Sequence, residues 1–378
     1  MGVEPTLPDS GPESAEPDGV PSAAPDASAL GDAGGSPTPR KGFNLATISN
    51  PLFEMQSNSV LIALVLVLGL FAVAHPSFFS LSQIQIVLQS SVYVGVIACG
   101  MAFLIAMRQL DLSVSSILAL TAGIAALLMN QGWNPWLAAL AALVCAGGMG
   151  LLNGFLVQTI GIPALLATLA TYYLYNGLND GLTSSNTVGV GYTTSEVPIP
   201  HNHAITSSFF KVPTGNLIGI PVAAWLMFAI AAVLTIVLRY TPFGYRVRSI
   251  GSNPEAAVFS GISLPRVRYQ AFVLVGVVSG LAGLLVLIFF KDADPSVGGA
   301  DNLLAIAAVI IGGTPMRGGS ATVFGAMLGA ILLSAVTSGL VYFNISENWS
   351  QFALGAVILG AVSVDSIVRA GRRRAPLS

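Results

Sequence analysis

The chain has 378 residues, 54% hydrophobic and 8% charged, with a net charge of −2 and a mean hydropathy of +0.78. A soluble domain carries roughly 25% charged residues, so an ordinary cytosolic globule is excluded. About 20 apolar residues cross a bilayer as a helix, and residues 59–368 then hold roughly ten spans, an all-α polytopic bundle.

Residues 1–58 are rich in Pro, Ala, Ser and Gly, and seven of the 17 acidic residues precede Gly35. With so little apolar area to offset ordering, the segment is predicted to be a disordered, acidic cytoplasmic extension. The first apolar run begins near Val60, so no cleavable signal is expected. Hydropathy then predicts spans near 59–74, 86–107, 112–130, 135–157, 161–179, 217–238, 269–290, 303–313, 321–343 and 351–368. The eighth is too short to cross alone and reads as a broken or re-entrant helix, or as one that extends into its neighbours. Cys99 and Cys145 fall in separate apolar runs and are expected to be packing residues.

Lys and Arg mark the cytoplasmic side of a membrane protein. With the N-terminus inside, thirteen basic residues fall on inner segments, among them Arg108, Arg239, Arg246, Arg248, Arg266, Arg268, Arg317 and the basic tail 369–378. Only Lys211 and Lys291 fall outside, so both termini are predicted cytoplasmic and the span count even. Ten spans divide five and five across the long outer segment 180–216. An odd number per half sets the halves in opposite orientations, the geometry of inverted-repeat transporters, so an inverted repeat is expected although no sequence identity is seen between the halves.

The inner segment 239–268 is long for a connection in a compact membrane domain. Within it Asn253 is a good helix N-cap, Pro254 suits the first helical position and Glu255 complements the positive helix end. Gly261 can end the helix in the left-handed conformation. The predicted product is a two-turn helix bearing Ala256, Ala257, Val258 and Phe259, flanked by arginines. Such a helix suits a groove in a partner protein. By composition alone the better fit is a helix lying on lipid headgroups while the arginines fix topology.

Glu255-Ala256-Ala257, followed by Gly261, resembles the EAA loop of bacterial ABC importer permeases, and Gly251 and Asn253 are grouped with it as ATPase-coupling positions. Gln109 to Ser116, then Ile117 to Thr121, resembles the DLSVGS…ALT segment of the ribose/xylose-type permeases. Leu151-Leu152-Asn153-Gly154, Ile162 to Thr171 and Ala305 to Gly319 are similar to further segments of that family, in family order. Ser115 stands where the segment usually has Gly, Leu304 where an acidic residue is common, and Pro315-Met316 where Ser-Leu is usual. The resemblance implies a bacterial plasma-membrane permease for a monosaccharide, working with cytosolic ABC ATPase subunits, an extracytoplasmic sugar-binding protein and a second permease copy or paralogue. It implies no cofactor and no nucleic acid. None of Lys41, Lys211 and Lys291 follows a glycine, so no Walker A motif is present.

Polar residues within the predicted spans are pathway candidates: Gln89, Ser90, Tyr93, Asn153, Tyr172, Asn176 and Asn179, since amides and aromatic faces suit sugars. The same groups also serve as interhelical hydrogen-bonding residues. Arg108 and Asp111 are three apart: on one helical face they would pair, as part of an inner gate or the ATPase contact, while a turn at the inner membrane edge would let both charges reach water. Arg317, between glycine pairs, is grouped with them. His201 and His203 fall short of a metal-ligand set. Competing readings are a permease for branched-chain amino acids or nucleosides, and an ion-coupled transporter. The latter needs a mid-span carboxylate, which the predicted spans lack. An intramembrane enzyme lacks a nucleophile–histidine constellation within the spans.

Overall fold

The computed structural model describes residues 55–191, 204–299 and 301–342, with isolated positions between 349 and 359. The acidic extension before residue 55, the tenth predicted span, the basic tail, His201 and His203 lie outside the described residues. In chain order the helices are α1 (Met55–Ala74), α2 (Leu81–Ala106), α3 (Val114–Asn130), α4 (Pro135–Phe155, extended by a π turn to Ile160) and α5 (Ala164–Thr183). There follow α6 (Ser208–Lys211), α7 (Val222–Tyr240), α8 (Pro242–Ser252), α9 (Pro254–Phe259), α10 (Leu264–Phe290), α11 (Asp301–Ile311) and α12 (Val323–Tyr342). Two-residue strands β1 (Val188–Gly189) and β4 (Asp292–Ala293) pair antiparallel, as do β2 (Asn216–Leu217) and β3 (Ile220–Pro221).

Helix starts follow from capping chemistry. Ser80 accepts from the Gln83 amide at α2, and Asn134 accepts from the Trp136 amide at α4, with Pro135 at the first helical position. Among the described residues, α2, α4 with its π turn, α7, α10 and α12 are long and apolar enough to cross a membrane. Each predicted span from 59–74 to 321–343 coincides with a helix. α5 falls outside the long apolar group because Thr168, Thr171, Asn176, Asn179 and Asp180 dilute its apolar content. The eighth predicted span is the 11-residue α11, interrupted before α12 by residues 312–322. Two α-helices are new relative to the sequence reading: the four-residue α6 in the outer segment, and α8, which shares segment 239–268 with α9.

α2, α10 and α12 are largely enclosed, whereas α4 and α7 present most of their surface outward. α2 packs against α12 and α11; α10 packs against α4 and α3; α2 and α10 also touch each other. Without water to expel between helices, close backbone approach and dispersion hold a membrane bundle together. The α4–α10 crossing shows this: a Cβ on Gly150 would strike the Phe272 carbonyl, and one on Gly276 would meet the Ala146 carbonyl and Gly150 backbone.

The segments predicted to share a side do meet at one end. The Gly319 amide donates to the Ala106 carbonyl (2.9 Å), and Arg268 donates to Gln158 (3.4 Å). At the opposite end, Asn130 bonds Gly189 and Gly191 around β1–β4, and Trp136 donates to Ser208 (3.2 Å). A second core cluster, including Phe209, Phe210, Val188 and Ala293, closes this end.

Candidate transport pathway and coupling site

α2 ends at Ala106, and Arg108 turns the chain with φ 61°. That turn, one of the two arrangements expected, separates Arg108 from Asp111, so they form no pair on one helical face. Arg108 donates to the backbone carbonyls of Arg317 (2.6 Å) and Ser252 (3.2 Å). Asp111 goes the other way and is fully buried. Its Oδ1 accepts from the Ser113 amide (2.8 Å) and hydroxyl (2.7 Å), and its Oδ2 from Asn153 Nδ2 (3.1 Å). Asn153 also donates to Ser113 Oγ (2.7 Å) and accepts from the Tyr175 hydroxyl (3.3 Å), which bonds the Met149 carbonyl too (2.9 Å). A buried carboxylate costs several kcal/mol unless its oxygens are bonded; this network supplies the bonds and ties α3, α4 and α5 together.

Just beyond Asp111, the Leu112 amide donates to Thr168 Oγ1 (3.1 Å) on α5, and Asn302 at the start of α11 donates to the Leu112 carbonyl (3.0 Å). This junction stands between two cavities. One, of about 440 Å³, is lined by Arg108, Gln109, Leu110, Pro163 and Arg268. The other, of about 500 Å³, is lined by Ser115, Tyr172, Asn176, Asp180, Asp294 and Ser296, among others. Along both the α2–α3 connection and α5, the Leu112–Thr168 contact falls between the residues of the two cavities.

The structure sorts the sequence candidates. Tyr172 and Asn176 line the larger cavity, with Asp180 completing an i, i+4, i+8 stripe on α5. Asn153 belongs to the buried network, and Asn179 is buried against α3 beside Gly123. Gln89 donates to the Tyr93 hydroxyl (3.3 Å), and neither residue lines a described cavity. Ser90 bonds back to the Ile86 carbonyl within α2. Arg317 contributes its carbonyl to Arg108, while its side chain is exposed.

Sequence reasoning missed Ser115, Thr168, Asp180, Asp294 and Asn302 as members of this region. A signal was present: Asp111-Leu112-Ser113-Val114 is echoed by Asp294-Pro295-Ser296-Val297. Asp292, beside that second motif, has its carboxyl pushed above the usual carboxylate range by burial, with Asp294 adding to the effect.

At the Arg108 end, α9 forms as its residues predict. Asn253 Oδ1 accepts from the Ala256 amide (3.1 Å), and Gly261 adopts φ +79° after the helix. Glu255 and Ala256 are exposed, Ala257 is buried, and Phe259 stands 92% exposed. Gly251, grouped with them by sequence, is buried instead: a Cβ there would collide with the Ala106 carbonyl and the Gly319 amide. α8 is thereby clamped to the end of α2 and to the 312–322 connection.

These features define a helical membrane protein with two cavities on either side of the Leu112–Thr168 junction and a short helix with exposed side chains at its arginine-rich end. The family described as the branched-chain amino acid transport system permease component matches residues 83–362, and the chain belongs to it. It is similar to the ribose import permease of Haemophilus influenzae, 32% identical over 81% of this chain and 91% of that one. The L-arabinose ABC transporter permease of Azospirillum brasilense is 29% identical over 89% and 96% of the two chains. The D-allose transport system permease of Escherichia coli is 29% identical over 81% and 90%. A solved chain assigned to a metal-chelate type ABC transporter, in an inward-facing conformation, superposes with a TM-score of 0.46 at 13% identity, covering 82% of this chain and 97% of that one. The relatives are transporter subunits, and this chain is a multi-pass inner-membrane protein.

Proposed function

We propose that this chain is the membrane-spanning permease of an ATP-driven, binding-protein-dependent importer of a monosaccharide. The observation that carries the reading is similarity, at 29–32% identity, to ribose, L-arabinose and D-allose permeases over more than four-fifths of the chain. The larger cavity agrees with it: carboxylate, amide, hydroxyl and phenol groups suit a polyhydroxylated solute better than an apolar amino-acid side chain. The sugar-permease relatives likewise disfavour the amino-acid and ion-coupled alternatives.

The basic end then faces the cytoplasm, as do both termini, and ten spans form two inverted five-helix halves. In this arrangement α2, α3 and α4 correspond to α10, α11 and α12, in keeping with the reciprocal packing of α2 on α12 and α10 on α4. Glu255, Ala256 and Phe259 on α9 meet a cytosolic ATPase subunit. Closure of that motor pulls on α8 and, through the Ser252 carbonyl, on Arg108 at the lip of the smaller cavity. A second permease copy and an extracytoplasmic sugar-binding protein complete the transporter.

The test is to delete the chain from its native cells, restore it, and measure uptake of labelled D-ribose, L-arabinose, D-allose and L-leucine. Restoration of uptake of one of the sugars is expected. Restoration of leucine uptake alone overturns the reading.

A further inference from the structure

We propose that the cavity between α3, α5 and residues 294–299 is a hydroxyl-recognition site through which the permease itself selects among monosaccharides. The inference rests on the transport reading above and adds a substrate-contacting site to it.

Ser115 is 1% exposed, lines this cavity, and its Oγ has no hydrogen-bond partner among the described residues. Its neighbours Ser113 and Ser116 do have partners: Ser113 bonds Asp111, and Ser116 bonds the Ser113 carbonyl. Buried hydroxyls without a partner are uncommon in native proteins, and this one lies at the wall of a polar space. A ligand hydroxyl placed there would satisfy it.

The rest of the lining is complementary. Tyr172, Asn176 and Asp180 share one stripe of α5, giving an aromatic face, an amide that donates and accepts, and a carboxylate. Asp294, also in the lining, engages Ser296 through Oδ1 (2.8 Å), leaving its second oxygen to accept from a ligand. Acceptors and donors thus surround a space of about 500 Å³, within the usual range of small-molecule sites. The site lies directly beside the Leu112–Thr168 junction, so a bound sugar would wait at the seal between the two cavities.

Ser115→Ala and Asn176→Ala test the site, with Leu178→Ala on the exposed face of α5 as control. Each full-length variant is expressed in the deletion cells, and initial import of D-ribose, L-arabinose and D-allose is measured at saturating external sugar. Saturation keeps the binding protein loaded, so rate differences belong to the permease. The expected result is a loss of about fivefold or more in both site variants, the size one lost hydrogen bond produces, at unchanged membrane levels and with the control near wild type. Import at the wild-type rate in both site variants, or a loss that only follows membrane level, overturns the site alone. Failure of the wild-type chain to restore import of any sugar overturns the transport reading, and this site with it.

Discussion

Asp111 and Asp294 make the same turn. In each, Oδ1 accepts from the amide and hydroxyl of the serine two residues on, at 2.8 and 2.7 Å for Ser113 and 2.8 and 2.8 Å for Ser296. Each lies three residues after a basic residue at φ 61°, Arg108 and Lys291, which ends a long central helix. One turn faces the buried interior and the other an exposed loop. The shared local geometry is therefore placed in two different dielectric surroundings.

That contrast yields a stability prediction. Ser113→Ala removes a buried bond to a carboxylate and is expected to cost roughly 2 kcal/mol. Ser296→Ala removes the same bond in an exposed turn and should cost no more than about 0.5 kcal/mol. Thermal unfolding of the detergent-solubilised variants checks the order; equal losses would show that burial of Asp111 is not what matters.

Two glycines of the α8–α9 region should respond unequally to the same change. Gly251→Ala places a methyl against the Ala106 carbonyl and Gly319 amide and is expected to cost roughly 3 kcal/mol. Gly261 has φ +79° but open space around it, so Gly261→Ala should cost only about 1 kcal/mol. The two midpoints of thermal unfolding, compared with wild type, decide between steric and conformational control.

Coupling through α9 predicts that Glu255→Lys and Phe259→Asp reach the membrane at wild-type levels yet lose sugar import. ATP hydrolysis by the assembled transporter then continues without transport. Normal import in both variants would remove α9 from the coupling route.

The raised carboxyl pKa of Asp292 has a defined sign. A carboxyl whose folded pKa lies above its unfolded value contributes stability below the unfolded pKa, and the contribution is lost as pH rises through the folded pKa. At neutral pH the ionised Asp292 therefore opposes the β1–β4 pairing. Asp292→Asn should raise the unfolding temperature at pH 7 relative to wild type, with the gain shrinking as pH falls toward 4. A gain independent of pH would assign the effect to something other than charge.

Helix positions were legible because hydropathy and capping are local properties. Asn253, Pro254 and Gly261 delimit α9 through bonds spanning only a few residues, and the structure follows them. The short eighth span was equally plain from its length, and it is α11. For Arg108 and Asp111 local spacing left both a helical pair and a turn open, and the structure takes the turn: Arg108 adopts the left-handed conformation and sends the two side chains to different partners.

By itself, the order of residues determined a multi-helix membrane protein, its break points and its short helix α9, since apolar run length and caps act along the chain; the permease class came from motif resemblance. Tertiary structure alone decided that Gly251 is a packing joint, that Asn153 holds Asp111, and that Ser115 shares a cavity with Tyr172, Asn176 and Asp294. Those relations join residues between about 40 and 180 positions apart. They depend on how closely helices approach, which small residues permit but no local pattern specifies.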